Sequence, residues 1–203
     1  MSGPIVLASG SPRRRELLAA LGVTFEVAPA DVDETTAEQH PVRVAEMLAL
    51  LKARTVAALR PAAVVIGSDT VVALEGRLLG KPADADEARA MLHALRGRAH
   101  EVVTGVAVIA AGREHLAHSR TVVTMRDYTD AEIEAFIATG SPFDKAGGYA
   151  SQDPVFAPTA SMTGCPCGVM GLPLWTLRAL LLDAGVEAGE PALARCAGCG
   201  ERP

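Results

Sequence analysis

Aromatic residues are scarce in this chain of 203 residues, at 3%, although 49% of it is hydrophobic. The core must therefore be assembled from Ala, Val and Leu rather than around a few large rings. No apolar run reaches the roughly 18 residues that a membrane helix needs, so no bilayer span is expected. The opening MSGPIVLAS has no basic segment ahead of a long apolar stretch. A secretion signal is therefore not expected, and a cytoplasmic location is the default. Positive charge is not in excess either: 19 Lys and Arg face 24 Asp and Glu, for a net charge of -5. A general nucleic-acid binder needs a broad basic surface, so any positive charge that works here must be local. The five histidines show no HxH or HxxxH spacing; His100 is expected to be structural and the others to lie on the surface. Cysteine is missing until Cys165, after which Cys165, Cys167, Cys196 and Cys199 form a CPC and a CAGC pair. Four such thiols suit a structural zinc, a disulfide formed on oxidation, or plain reduced cysteines.

What is present reads as one α/β unit over residues 1–184, followed by a cysteine-containing tail over 185–203. Short strands are expected at 5–8 and 25–28, and a central, two-sided apolar strand at 63–73. A turn at Glu75-Gly76-Arg77 leads to Leu78-Leu79. Two long strands, 101–110 and 115–125, flank Ala111-Gly112-Arg113 as a hairpin. Helices are expected at 12–21, 41–59, 84–95, 129–139 and 172–184. Pro12 near a first position and Gly22 beyond an end mark the first, and an acidic first turn marks the third. In the helix over 41–59, Val44, Leu48, Leu51 and Val56 are near helical spacing. Residues 143–171, rich in Gly, Pro and small polar side chains, read as loops with short strands, and loops of that length are often functional.

The stretch LASGSPRRRELL (7–18) poses a physical problem. A helix N-terminus is partly positive, and each cation there costs roughly 0.3–1 kcal/mol. An anion would resolve it. Ser9, Gly10 and Ser11 form a turn whose N–H groups can face an anion, the helix dipole adds to it, and Arg13 and Arg14 supply forked donors suited to phosphate. Arg15 is expected on the surface. In GSDT (67–70), Asp69 is a carboxylate inside an apolar strand, which is expensive to bury unless something binds it. It could be a metal ligand, a general base, or a cap on a strand end. Lys81 in GKP, Lys52 on an otherwise apolar helix, and Lys145 in FDKAGGYASQD are weak signals singly. With Arg13 and Arg14 they would offset much of the charge of a nucleoside triphosphate, provided they converge in space. Glu34 in DVDET would be the natural second carboxylate beside Asp69 for a hard divalent ion.

Taken in order, LASGSPRRRELL (7–18), DVDET (31–35), GSDTVV (67–72), GKP (80–82), HEVVTGVAV (100–108), DKAGGYASQ (144–152) and VMGLPL (169–174) resemble the Maf, or septum-formation-inhibitor, family of nucleoside triphosphate pyrophosphatases. The resemblance covers about residues 5–182. It implies an elongated α/β fold with two lobes around a cleft, a central mixed β-sheet, and often a homodimer. It also implies hydrolysis of a nucleoside triphosphate to the monophosphate and pyrophosphate with a divalent metal cation (Mg²⁺, Mn²⁺ or Co²⁺). Family functional positions fall on Ser9, Arg13, Arg14, Glu34, Lys52, Asp69, Lys81 and Gln152, with Asp69 as proton acceptor. Arg13, Thr70 and Gln152 match positions tied to base choice in members acting on dTTP and UTP. Ser141 departs from the glutamate common in the family, TGCPCGVMGLP has cysteines and a glycine where many members have an aromatic and an asparagine, and CAGCGERP lies outside the family pattern.

Both lines of reasoning lead to one expected site. Ser9, Ser11, Arg13, Arg14 and Lys145 hold the nucleotide, and Thr70 and Gln152 read its base. Lys52 and Lys81 neutralise the leaving pyrophosphate, while Glu34 and Asp69 hold the metal. The partner is a small-molecule nucleotide, with neither nucleic acid nor membrane involved. The alternatives are a nucleotide-binding regulator of cell division that needs no turnover, and a zinc-dependent interaction module built on the cysteines.

Overall fold

The computed structural model describes residues 3–203. Its frame is a seven-stranded mixed sheet. Strands β1 (Ile5–Leu7), β2 (Phe25–Val27) and β3 (Val64–Leu74) run parallel, with β1 between the other two. Strands β4 (Arg77–Leu79), β5 (Ala99–Ala110), β6 (Arg113–Met125) and β7 (Thr159–Thr163) continue it antiparallel. The β5–β6 hairpin turns at Ala111-Gly112, and β7 covers the far side of β6.

The two edges of β3 are unequal. On one edge β5 pairs continuously from Val65 to Ala73. On the other, β1 pairs with Val64–Ile66 and β4 with Val72–Leu74, so neither strand reaches residues 67–71. The chain leaving β1 and the chain leaving β4 both run toward this gap. Each side of the gap has its own apolar cluster. One gathers Leu7, Ile66, Val106 and the helices α1 (Pro12–Ala19) and α6 (Leu174–Asp183). The other gathers Val72, Val102, Tyr128 and the helices α3 (Ala85–Leu95) and α4 (Asp130–Ala138). These are the two lobes, and the gap lies between them.

Helix α2 (Pro41–Leu59) lies across the sheet on the face opposite α1 and α6, over a third cluster that includes Val6, Val65 and Ala107. Its buried stripe is Val44, Leu48, Lys52 and Val56, flanked by Ala45, Ala49 and Ala53. Leu51, expected on that stripe, is exposed instead, and Lys52 takes the inward position. The geometry is consistent with this: 44, 48, 52 and 56 span an arc of about 120° around the helix, and 51 lies about 80° from the middle of that arc. The alanines permit a close approach, and two glycines complete it. A Cβ on Gly67 would sit 2.2 Å from the Ala49 carbonyl oxygen, and one on Gly105 would sit 2.2 Å from that of Ala45.

Helix ends follow their local chemistry. Thr129 caps α4 in a full capping box with Glu132, and Asp84 caps α3. The expected loop at 143–171 holds two 3₁₀ turns (Ser141–Asp144, Ala146–Gly148), β7, and the short helix α5 (Pro166–Val169). The expected tail packs back on the molecule: helix α7 (Ala194–Ala197) follows α6, and Cys196 and Cys199 are buried in the first lobe's core. No helix among the described residues is long and apolar enough to cross a membrane.

Candidate active site

The gap on β3 opens into a cleft of about 560 Å³. Alternation along β3 decides what faces it. Residues 65, 67 and 69 point toward α2, and residues 66, 68 and 70 toward α1 and α6. Asp69 therefore meets α2, and Thr70 meets the start of α1.

On the α2 side, the Lys52 ammonium lies 2.5 Å from Asp69 Oδ1 and 2.8 Å from Glu34 Oε1. Lys52 and Asp69 are both buried, while Glu34 is half exposed at the cleft mouth. Burial pushes the Asp69 carboxyl above the usual carboxylate range, and the charges of Lys52 and Arg14 oppose that push. Two carboxylates thus converge on one cationic point from a strand and a loop far apart in sequence.

On the α1 side, Arg14 spans three segments. Its Nε donates to the Gly171 carbonyl at 2.9 Å, one terminal nitrogen to Ser9 Oγ at 3.2 Å, and the other to Thr70 Oγ1 at 3.4 Å. Burial lowers the pKa of this guanidinium, and Asp69 and Glu34 hold it up. Gly171 carries a positive φ of 108°, and a Cβ there would approach Arg14 Nε to 3.1 Å, so the close carbonyl needs glycine. Ser11 is the N-cap of α1, and its amide donates back to Ser9 Oγ at 3.3 Å. The arginines at a helix start are thereby resolved: Arg14 folds inward as a strut, Arg13 lines the cleft, and Arg15 is exposed.

Every residue expected in the site lines this cleft: Ser9, Ser11, Arg13, Arg14, Glu34, Lys52, Asp69, Thr70, Lys81, Lys145 and Gln152. They come from six segments. Their environments differ. Lys81 makes no ion pair among the described residues, so its charge is available, and the chain direction out of β4 carries it into the gap. Lys145 is engaged: its ammonium is bound by Asp144 and donates to the Ser141 carbonyl at 2.6 Å. The backbone carbonyl of residue 141 thus helps hold this lysine in place. Gln152 is exposed at the rim.

Sequence reasoning missed Thr104 and the Gly171 carbonyl. Thr104 lies opposite Thr70 across the β3–β5 ladder, 2.9 Å between hydroxyl oxygens, and donates to the Gly168 carbonyl at 2.8 Å. Its one proton is committed there, so Thr70 donates to Thr104 and turns its lone pairs toward Arg14. A hydroxyl inside the valine-rich run HEVVTGVAV was the available signal for Thr104. No local signal marks a carbonyl.

An α/β cleft that joins a Ser-Gly-Ser turn, unpaired cations and a carboxylate pair at a break between strands has the architecture of a phosphate-ester site. The chain belongs to the Maf-like protein family, whose model matches residues 4–184. It is 53% identical over 189 residues to a dTTP/UTP pyrophosphatase of Thermomicrobium roseum, covering 92% of this chain and 87% of that protein. Proteins of the same name from Moorella thermoacetica and Deinococcus radiodurans are 49% and 47% identical, over 90% and 91% of this chain and 96% and 94% of their own lengths.

Proposed function

We propose that this protein hydrolyses dTTP and UTP to the nucleoside monophosphate and pyrophosphate. The observation that carries the reading is the meeting of Asp69 and Glu34 on Lys52 inside a cleft otherwise furnished with phosphate-binding groups. A site that only binds phosphate gains nothing from two carboxylates beside a polyanion. A hydrolase needs a proton acceptor for water. The names of the relatives agree with this chemistry and supply the base preference.

In this mechanism Lys52 occupies Asp69 Oδ1 and leaves the second carboxylate oxygen for a water. Asp69 accepts the water's proton as its oxygen bonds to the α-phosphorus. The bond from that phosphorus to the bridging oxygen breaks, and pyrophosphate leaves with the electron pair. The Ser9–Ser11 turn, Arg13 and Lys81 bind the phosphate chain. Arg14 keeps the turn against Thr70 and the Gly171 carbonyl and adds its positive charge. Catalysis is positioning plus charge stabilisation. Gln152 at the rim reads the base edge with its amide, with Arg13 and Thr70 behind it, and Lys145 braces that wall.

Asp69 and Glu34 also fit a divalent cation. They offer hard carboxylate oxygens around a point already occupied by an ammonium, and water and phosphate oxygens complete such a shell. When bound there, Mg²⁺, Mn²⁺ or Co²⁺ would neutralise charge on the phosphates. The reading includes a homodimer in the cytoplasm, and light scattering on the purified protein tests the dimer.

The test is pyrophosphate release from a panel of nucleoside triphosphates with each metal, run beside Asp69→Asn. Release from dTTP and UTP that disappears in the variant, while nucleotide still binds, is the expected result. Normal turnover by Asp69→Asn would overturn the assignment. Binding without turnover across the panel would instead indicate a nucleotide-sensing regulator.

A further inference from the structure

The four cysteines take no part in the cleft, yet the fold gathers them. Cys165 and Cys167 flank Pro166 at the start of α5, and Cys196 and Cys199 lie on and just after α7. The two segments are 29 residues apart at their nearest cysteines, and the chain returns through α6 to bring them face to face. All four are free thiols and all four are buried. They are paired crosswise: Cys167 Sγ is 3.0 Å from Cys196 Sγ, and the Sγ atoms of Cys165 and Cys199 lie within 4.8 Å of each other and of a Glu201 carboxylate oxygen.

We infer that Cys165, Cys167, Cys196 and Cys199 form a four-thiolate zinc site that fastens the C-terminal segment to the back of the cleft wall. Zinc–sulfur bonds of about 2.3 Å in a tetrahedron place sulfurs about 3.8 Å apart, against 3.0 Å within the Cys167–Cys196 pair and no more than 4.8 Å within the Cys165–Cys199 pair. CxxC on a short helix beside CPC supplies two ligands from each arm. The Gly168 amide donates to Cys165 Sγ at 3.3 Å, a contact that suits a thiolate more than a thiol. The reason to choose a cation over a pair of disulfides is the donor set itself, four buried free thiols, two from each segment. The Glu201 carboxylate lies within 4.8 Å of the Cys165 and Cys199 sulfurs, the spacing of ligands around one ion. Thr176 donates to Glu201 at 2.6 Å and holds it there. Soft sulfur ligands in this number select zinc over the hard ions suited to Asp69 and Glu34.

The site would do more than hold the end of the chain. Two residues of the same α5 turn reach the cleft: the Gly168 carbonyl receives Thr104, and the Gly171 carbonyl receives Arg14 and Ser68. A metal at Cys165 and Cys167 therefore stiffens the loop on which Arg14 rests.

The experiment is elemental analysis and cobalt substitution of the full-length protein, purified under reducing conditions. The expected result is about one tightly held zinc per chain, and, after exchange, thiolate-to-cobalt charge-transfer absorption with tetrahedral d–d bands. Asp69→Asn should keep the zinc, whereas Cys196→Ser with Cys199→Ser should lose it. Should that double variant fail to fold, the cobalt spectrum of the unaltered chain still decides. Absence of charge-transfer absorption from the reduced protein would overturn the site. So would zinc lost in Asp69→Asn, or intact mass and thiol counts showing that the cysteines are joined as disulfides.

Discussion

Asp69 has an ionic partner on one side and the open cleft on the other, and Arg14 is the residue that holds the opposite wall. Its planar fork satisfies the Gly171 carbonyl, Ser9 and Thr70 together. A lysine keeps the charge but cannot span three acceptors in different directions. Arg14→Lys is expected to lower kcat/KM on the order of tenfold or more, which corresponds to one lost charge-assisted hydrogen bond of roughly 1.5–3 kcal/mol. Steady-state kinetics check it, with little change expected in the denaturation midpoint. His100 offers a separate test. It is buried, its Nδ1 has no partner, and its Nε2 meets the Tyr149 hydroxyl at 2.6 Å. Burial pulls its pKa from 6.5 to about 4. The folded protein therefore keeps His100 neutral where the unfolded chain already takes up a proton. Its contribution to stability is complete above pH 6.5 and is lost as pH falls toward 4, by roughly 3 kcal/mol in all. Urea unfolding at neutral and mildly acidic pH should show that loss, and His100→Gln should flatten it.

At the scale of elements, the site depends on how closely α2 lies on β3 and β5. Lys52 reaches Asp69 because Gly67 and Gly105 let the helix backbone rest almost on the strands. A methyl group at either position would overlap a backbone carbonyl of α2, which no side-chain rotation relieves. Gly67→Ala and Gly105→Ala are each expected to destabilise by about 1–3 kcal/mol or more and to part Lys52 from Asp69. Denaturation midpoints and pyrophosphate release should fall together in these variants, unlike in Arg14→Lys. The long β3 is the second determinant. Because β1 and β4 share one edge of it without meeting, two chain exits are delivered to residues 67–71, which neither strand pairs.

For the whole molecule, the C-terminal segment belongs to the first lobe's core. Val186, Cys196 and Cys199 are buried, and the Trp175 indole donates to the Cys196 carbonyl at 3.0 Å. Ending the chain after Gly185 would uncover Trp175, Cys165 and Cys167. At about 25 cal/mol per Å² of exposed apolar surface, the expected loss is several kcal/mol. Thermal denaturation of the truncated chain should show a clear fall in midpoint, and a midpoint equal to that of the full chain would contradict the packing.

The sequence by itself determined the elements and the kinds of chemistry. Pro12, Asp84 and Thr129 marked helix starts, β-branched runs marked the central strands, and Arg13, Arg14 and Asp69 stood out because each is costly or odd in its local setting. These signals are short-range: capping, alternation and burial cost act over a few residues. Only the tertiary structure decided what those residues do to one another. The inward turn of Lys52 in place of Leu51 depends on which face of α2 meets the sheet. The pairing of Thr70 with Thr104 depends on strand register, and the support of Arg14 by Gly171 on a backbone carbonyl 157 residues away. The reach of the last helix back to Cys165 and Cys167 depends on the path of α6. Each is a contact between segments distant in sequence. Such contacts are set by shape and register, neither of which leaves a mark on the local order of residues.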